Sequence, residues 1–139
     1  MNYAYKVGCS IENLKGVRDF IRGSLKNHGV PDLEVSEIVL AIDEMCSNLM
    51  IHAHHCNPED LFELHIQIEK DQPVVFEIVD DGTVFDINHF HEPALDNIIN
   101  QKRKGGLGIR LVKSIMDKIE YQNRSGRNVC RLIKSVHYH

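Results

Sequence analysis

The chain has 139 residues, with 16 Lys and Arg against 20 Asp and Glu for a formal net charge of -4. That length suits one domain, residues 1–139, with a substantial core, and the charge excludes the overall basic surface that draws proteins to nucleic acid. No apolar run approaches the ~20 residues that cross a bilayer, and MNYAYKVGCS has neither the basic nor the apolar region of a signal peptide, so a cytoplasmic protein with no membrane or nucleic-acid partner is expected.

Tyr3, Tyr5 and Val7 alternate with Ala4 and Lys6, a strand pattern ending near Gly8. Ser10 stands where it would cap a first helix, whose apolar residues Leu14, Val17, Phe20, Ile21 and Leu25 keep a helical period until Asn27, His28, Gly29 and Pro31 stop it. Asp32 stands where it would cap a second, with Ile38, Val39, Ile42, Met45, Cys46 and Leu49 on one face as far as Ala53. Phe62, Leu64, Ile66 and Ile68 then alternate with polar residues. A turn at 70–73 leads to a strand over 74–79 that runs into Asp80, Asp81 and Gly82.

Residues 87–104 contain Pro93 and mixed polarity and read as a long, lid-like loop. After Gly105, Gly106, Leu107 and Gly108, a helical stripe resumes at Ile109, Leu111, Val112, Ile115 and Met116. Two strands near 119–122 and 129–136, joined by a turn at 123–126, follow. Strand pairs joined by tight turns require mostly antiparallel pairing, and strands with one apolar face require helices on one side only. The expected fold is a two-layer α/β sandwich with a mixed, mostly antiparallel sheet. Cys9, Cys46, Cys56 and Cys130 are widely spaced with no CxxC, which favours buried thiols over disulfides.

Three features carry chemistry. Glu44 and Asn48 lie one turn apart on the second helix. The amide offers an oxygen to a hard cation and the carboxylate can take a proton from a hydroxyl, although a solvated helix edge would show the same pair. GGLG at a helix start allows backbone N–H groups to approach an anion, aided by the dipole and by Lys102, Arg103 and Lys104; a flexible tight turn would look alike. Asp80 at a strand end can accept a hydrogen bond from an exocyclic amine while Gly82 lets a flat base approach the backbone, yet Asp-Asp-Gly also serves as a plain turn.

In their order and spacing these features resemble the GHKL ATPase superfamily with its Bergerat ATP-binding fold, and within it the anti-sigma-factor serine-protein kinases. AIDEMCSNLMIHA resembles the N-box, IVDDGTVFD the first glycine box and KGGLGIRLVKSIMD the second. The resemblance implies ATP and Mg²⁺ as cofactors. Asn48 would coordinate the metal, Glu44 would act as base or polariser, and Asp80 would bind adenine with Gly82 supporting the base. Lys104, Gly105, Gly106, Leu107 and Gly108 would hold the phosphates, and 87–104 would form the lid. It further implies a homodimer that phosphorylates a serine of a protein antagonist and sequesters a sigma factor, and so regulates transcription. His52 matches a family position with no assigned role. Val84 departs from the commoner DxGxG pattern, and Asn128 and Cys130 stand where many relatives place a threonine near the adenine.

Two rival readings are a nucleotide-dependent binding module without phosphoryl transfer and a metal site drawn from His52, His54, His55, Cys56, His89 and His91, which have no recognised ligand spacing.

Overall fold

The structure is a computed structural model that describes residues 1–52, 61–80 and 104–138, with the backbone alone described at 51–52 and 104–108. Its elements are β1 (Asn2–Gly8), α1 (Leu14–Lys26), α2 (Asp32–His52), β2 (Leu61–Gln67), β3 (Val74–Asp80), α3 (Lys104–Ile115), β4 (Lys118–Arg124) and β5 (Arg127–Lys134). A 3-10 turn at Ile11–Asn13 leads into α1. The five strands form one sheet in the order β1-β2-β3-β5-β4, with every described pairing antiparallel.

Alternation along β2 puts Phe62, Leu64 and Ile66 in the interior and leaves Glu63 and His65 half-exposed. The same inner face continues through Phe76 and Ile78 of β3 and Cys130 and Leu132 of β5, which share one core with the buried faces of the three helices. The two-layer sandwich expected from the apolar alternation is therefore observed. Helix α2 is buried around most of its girth because α1 and α3 both pack on it. An Arg18–Asp43 ion pair at 2.9 Å ties α1 to α2.

Helix α1 docks on β1 through Tyr5, stacked on Phe20 with ring centroids 5.0 Å apart, and through the Tyr3 hydroxyl, 2.8 Å from His28 Nε2. Gly16 permits this approach, since a Cβ there would meet the Tyr5 hydroxyl oxygen at 2.5 Å. The expected caps differ. Ser10 makes no side-chain cap bond, and α2 begins at Asp32 itself, with Val35 N–H donating to Pro31 O at 2.9 Å. Pro31, whose ring fixes φ, thus sets the turn, and Asp32 serves the helix dipole as an acid in the first turn.

The β4–β5 hairpin turns through Ser125 (φ 53°) and Gly126 (φ 85°), two left-handed residues that suit the twist of the flanking strands. Gly126→Ala meets no neighbouring atom but forces a Cβ into that region, and thermal melts should show a loss of roughly 1–2 kcal/mol.

On the sheet face opposite the helices, Val79 and Val129 sit side by side, 8% and 1% exposed. Arg127 reaches across β3 to Glu63 at 2.7 Å, and Arg124 reaches across β5 to Glu77 at 2.7 and 3.3 Å, so two arginine stems lie over this face. The Arg127 hydrogen bond holds the Glu63 carboxyl below its ordinary value of 4.5. A depressed folded pKa adds stability above the ordinary value and loses it as pH falls through the folded value. Melting temperature should accordingly drop below about pH 4.5 in the wild type, and part of that acid slope should vanish in Glu63→Gln.

Residues 135–138 fasten three regions. Ser135 N–H donates to Asp117 Oδ2 at 2.5 Å, the Tyr138 hydroxyl to Gln72 O at 2.8 Å, and His137 N–H to Glu34 Oε2 at 2.9 Å, with His137 Nδ1 on the other carboxylate oxygen. Burial pushes the Glu34 carboxyl up, but the bonds and charge of His137 outweigh it and leave it below its ordinary value.

Candidate functional site

Helix α2 supplies the frame. Met45, Cys46 and Leu49 are buried in the core, and Asn48 is only 2% exposed, so its amide is part of the interior and not a solvated edge. Burying an amide is costly unless its polar atoms find partners. Asn48 Nδ2 meets that need by donating to Glu44 O, one turn back, at 2.8 Å. Because that carbonyl can only accept, the bond fixes the amide's orientation and directs Oδ1 away from the helix backbone. An oxygen with that aim suits Mg²⁺, which prefers hard oxygen donors and takes few from protein. Glu44 is half-buried on the same side of the helix, one turn from Asn48.

The second part is the end of the sheet. Asp80 is the last residue of β3, 1% exposed, and pairs in register with Asn128 of β5, 4% exposed. Side chains opposite one another on antiparallel strands share a face with Cβ atoms about 4.5–5.5 Å apart, so a carboxylate and an amide stand together there. Both line a small cleft with Met45 and Leu49 of α2 and Ile78, Tyr121 and Cys130 of the sheet. Apolar walls around two buried polar groups suit a flat heterocycle with a hydrogen-bonding edge. Burial pushes the neighbouring Cys46 thiol far above its ordinary range, with Asp43 and Cys130 adding to the effect, so it remains a neutral core group.

The glycine-rich segment differs from expectation. Helix α3 begins at Lys104, so Gly105, Gly106, Leu107 and Gly108 form its first turn instead of preceding it, and Lys104 belongs to the helix and not to the loop before it. The effect on anion binding is favourable, because the opening N–H groups of a helix have no intrahelical partner. Gly82, Val84 and 87–103 of the lid lie outside the described residues, as do His54, His55, Cys56, His89, His91 and the side chain of His52. Among the described residues no group of three or more His, Cys, Asp or Glu is placed to hold a metal ion. Cys9, Cys46 and Cys130 are free and buried, as their spacing implied.

Structure thus brings Met45 and Leu49 of the Glu44–Asn48 helix and Asp80 to one cleft, and adds Tyr121 and the register partner Asn128. No local signal marks Tyr121, since β4 reads as an ordinary polar strand. The family resemblance already set Asn128 near the adenine, and its pairing with Asp80 becomes visible once β5 is placed beside β3.

Residues 9–134 match the family described as Histidine kinase-like ATPase domain. The chain is 25% identical over 128 residues to serine-protein kinase RsbW of Bacillus subtilis, covering 89% of this chain and 79% of that protein. It is 29% identical over 115 residues to the RsbW of Halalkalibacterium halodurans, covering 79% and 68%. Serine/threonine-protein kinase BtrW of Bordetella bronchiseptica is 28% identical over 92 residues, covering 66% of this chain and 63% of that protein.

Among solved structures, the SiaB–SiaC complex of Pseudomonas aeruginosa superposes with a TM-score of 0.67 at 14% identity, over 94% of this chain and 88% of that one. The RsbU and RsbW domains of Rv1364c from Mycobacterium tuberculosis give 0.67 at 14% identity over 98% of this chain, which spans about a third (32%) of that longer chain. Both share the fold. A buried amide aimed by its own helix, a carboxylate at the adjoining strand end and a family match across nearly the whole sequence agree, and the chain belongs to the histidine kinase-like ATPase domain family.

Proposed function

We propose that the protein is an Mg²⁺·ATP-dependent serine-protein kinase of the anti-sigma-factor type. In this reading it passes the γ-phosphoryl group to a serine of a protein antagonist and, as a cytoplasmic homodimer, sequesters a sigma factor. The carrying observation is Asn48: its Nδ2 is held by Glu44 O, which leaves an oxygen for a cation one turn from a carboxylate. The similarity to named serine-protein kinases supports phosphoryl transfer as the outcome.

Asn48 Oδ1 would ligate Mg²⁺, which when bound neutralises phosphate charge and orients the terminal phosphoryl group. Glu44 would take the proton of the acceptor serine as the new O–P bond forms and the β–γ bridging oxygen departs. Asp80 would accept the hydrogen bond of the adenine amine, while Gly82 and the walls from Met45, Leu49 and Ile78 would hold the ring. The unpaired N–H groups of residues 104–107 would bind phosphate oxygens at the start of α3, whose glycines, with Gly108, allow close approach.

The test combines titration calorimetry of Mg·ATP with transfer of labelled phosphate to a candidate protein antagonist. Binding together with label on an antagonist serine supports the kinase. ATP binding without label favours the rival binding module, and no binding removes the site assignment.

A further inference from the structure

The outer side of α2 carries an apolar line that the core does not use. Leu33 and Leu40 are 75% and 46% exposed, while the other described apolar side chains of the helix are buried. At the pitch of an α-helix, Leu33, Leu40 and Glu44 fall within about 40° of one another around the axis, Leu40 about 6 Å and Leu33 about 16 Å back from Glu44. An exposed leucine standing alone is ordinary; two in line with a proposed catalytic carboxylate form a patch with a direction. The Arg18–Asp43 ion pair borders this strip on one side, and Glu34, which holds His137, borders it on the other. Glu37 stands between the leucines and α2 contains no Lys or Arg, so the strip is apolar and acidic.

We infer that this strip is the docking surface for the phosphoacceptor protein, which lays an apolar, basic-flanked face along Leu33 and Leu40 and so brings its serine to Glu44. The inference rests on the kinase reading above, and that reading fixes the occupant. A serine on a protein must reach the half-buried Glu44 from solvent, and the strip is the solvent-facing surface that α2 offers beside it. Partners in a specific complex each cover about 800 Å², so a line of ~16 Å and Glu44 fit within one footprint. Apolar side chains at i and i+7 are the spacing by which a helix seats in an apolar groove, and acidic flanks favour basic partner surfaces over acidic ones. Asn48, by contrast, is buried, so the strip governs the protein substrate and not the nucleotide.

The experiment measures transfer from Mg·ATP to the protein antagonist that the wild type labels, at varied antagonist concentration. Leu33→Ser/Leu40→Ser should raise KM for the antagonist about ten-fold or more, with kcat within about three-fold and Mg·ATP affinity unchanged, the pattern of lost uniform binding. Leu40→Met, which keeps an apolar side chain, should retain the wild-type KM. Leu33→Lys sets a cation against the basic flank and should raise KM several-fold; at a side chain 75% exposed, it decides the matter where the double variant does not fold. Transfer at the wild-type KM by either folded variant overturns the inference, including where that variant instead loses self-association or the sigma factor, which would give the strip to those partners. A loss of Mg·ATP affinity that matches the rise in KM also overturns it, because the strip would then shape the nucleotide site. A wild type that binds Mg·ATP yet labels no antagonist overturns the kinase reading and this inference with it, whereas labelling that persists at unchanged KM in the variants overturns this inference alone.

Discussion

Asn48→Ala is expected to reduce Mg·ATP affinity by at least ~100-fold, since losing even an outer-shell partner of a metal site typically costs 10–100-fold. The side chain is 2% exposed and its one described hydrogen bond is to its own helix, so truncation removes the proposed cation ligand without stranding a distant partner. Titration calorimetry of the folded variant checks this, and unchanged binding would remove Asn48 from the metal. Glu44→Gln separates binding from chemistry. It should keep ATP affinity within about three-fold while lowering phosphoryl transfer by roughly 10²–10⁴, the usual contribution of a general base. Equal losses of binding and transfer would instead make Glu44 a binding residue.

Phe76→Ala should be the most damaging single change to stability. Phe76 is fully buried in β3, between Ile66 of β2 and Leu132 of β5, at the strand that joins the two sides of the sheet. Truncation leaves a cavity bounded by strands that cannot easily collapse, at a cost of about 3–5 kcal/mol. For a domain of this size that corresponds to a fall of roughly 10–20 °C in melting temperature. Calorimetry showing a fall of only a few degrees would mean that the core around Phe76 repacks.

Most of this architecture was legible because alternation and helical period are local. Phe62, Leu64 and Ile66 announce a half-buried strand, and the stripe from Ile38 to Leu49 announces α2; both sets are buried as their spacing requires. The misplacements are also local. Ser10 and Asp32 are good capping residues, but the chain uses a 3-10 turn and Pro31 instead. Glycines favour turns over helices by about 1 kcal/mol each, so a first helical turn written Lys-Gly-Gly-Leu-Gly has no local justification and must be held by the packing of α3 on α2.

At the candidate site, Glu44, Asn48 and Asp80 were readable as residue types, whereas their surroundings were not. The burial of Asn48, the Asn128 partner of Asp80 and the reach of Arg127 to Glu63 all depend on which strands become neighbours. The bond from His137 to Glu34, joining residues 103 positions apart, depends equally on long-range packing.

The placement of β5 between β3 and β4 has a consequence for synthesis on the ribosome. Helix α2 and strand β3 carry Glu44, Asn48 and Asp80, but the strand that completes the floor of the cleft emerges only after α3 and β4. Asp80 meets Asn128 only after the intervening stretch has closed into a loop, a slow, entropically opposed step in strand pairing. Nascent chains halted before β5 should therefore carry the proposed site residues Glu44, Asn48 and Asp80 yet fail to retain nucleotide, and the ability to hold it should arise in a single step as β5 docks.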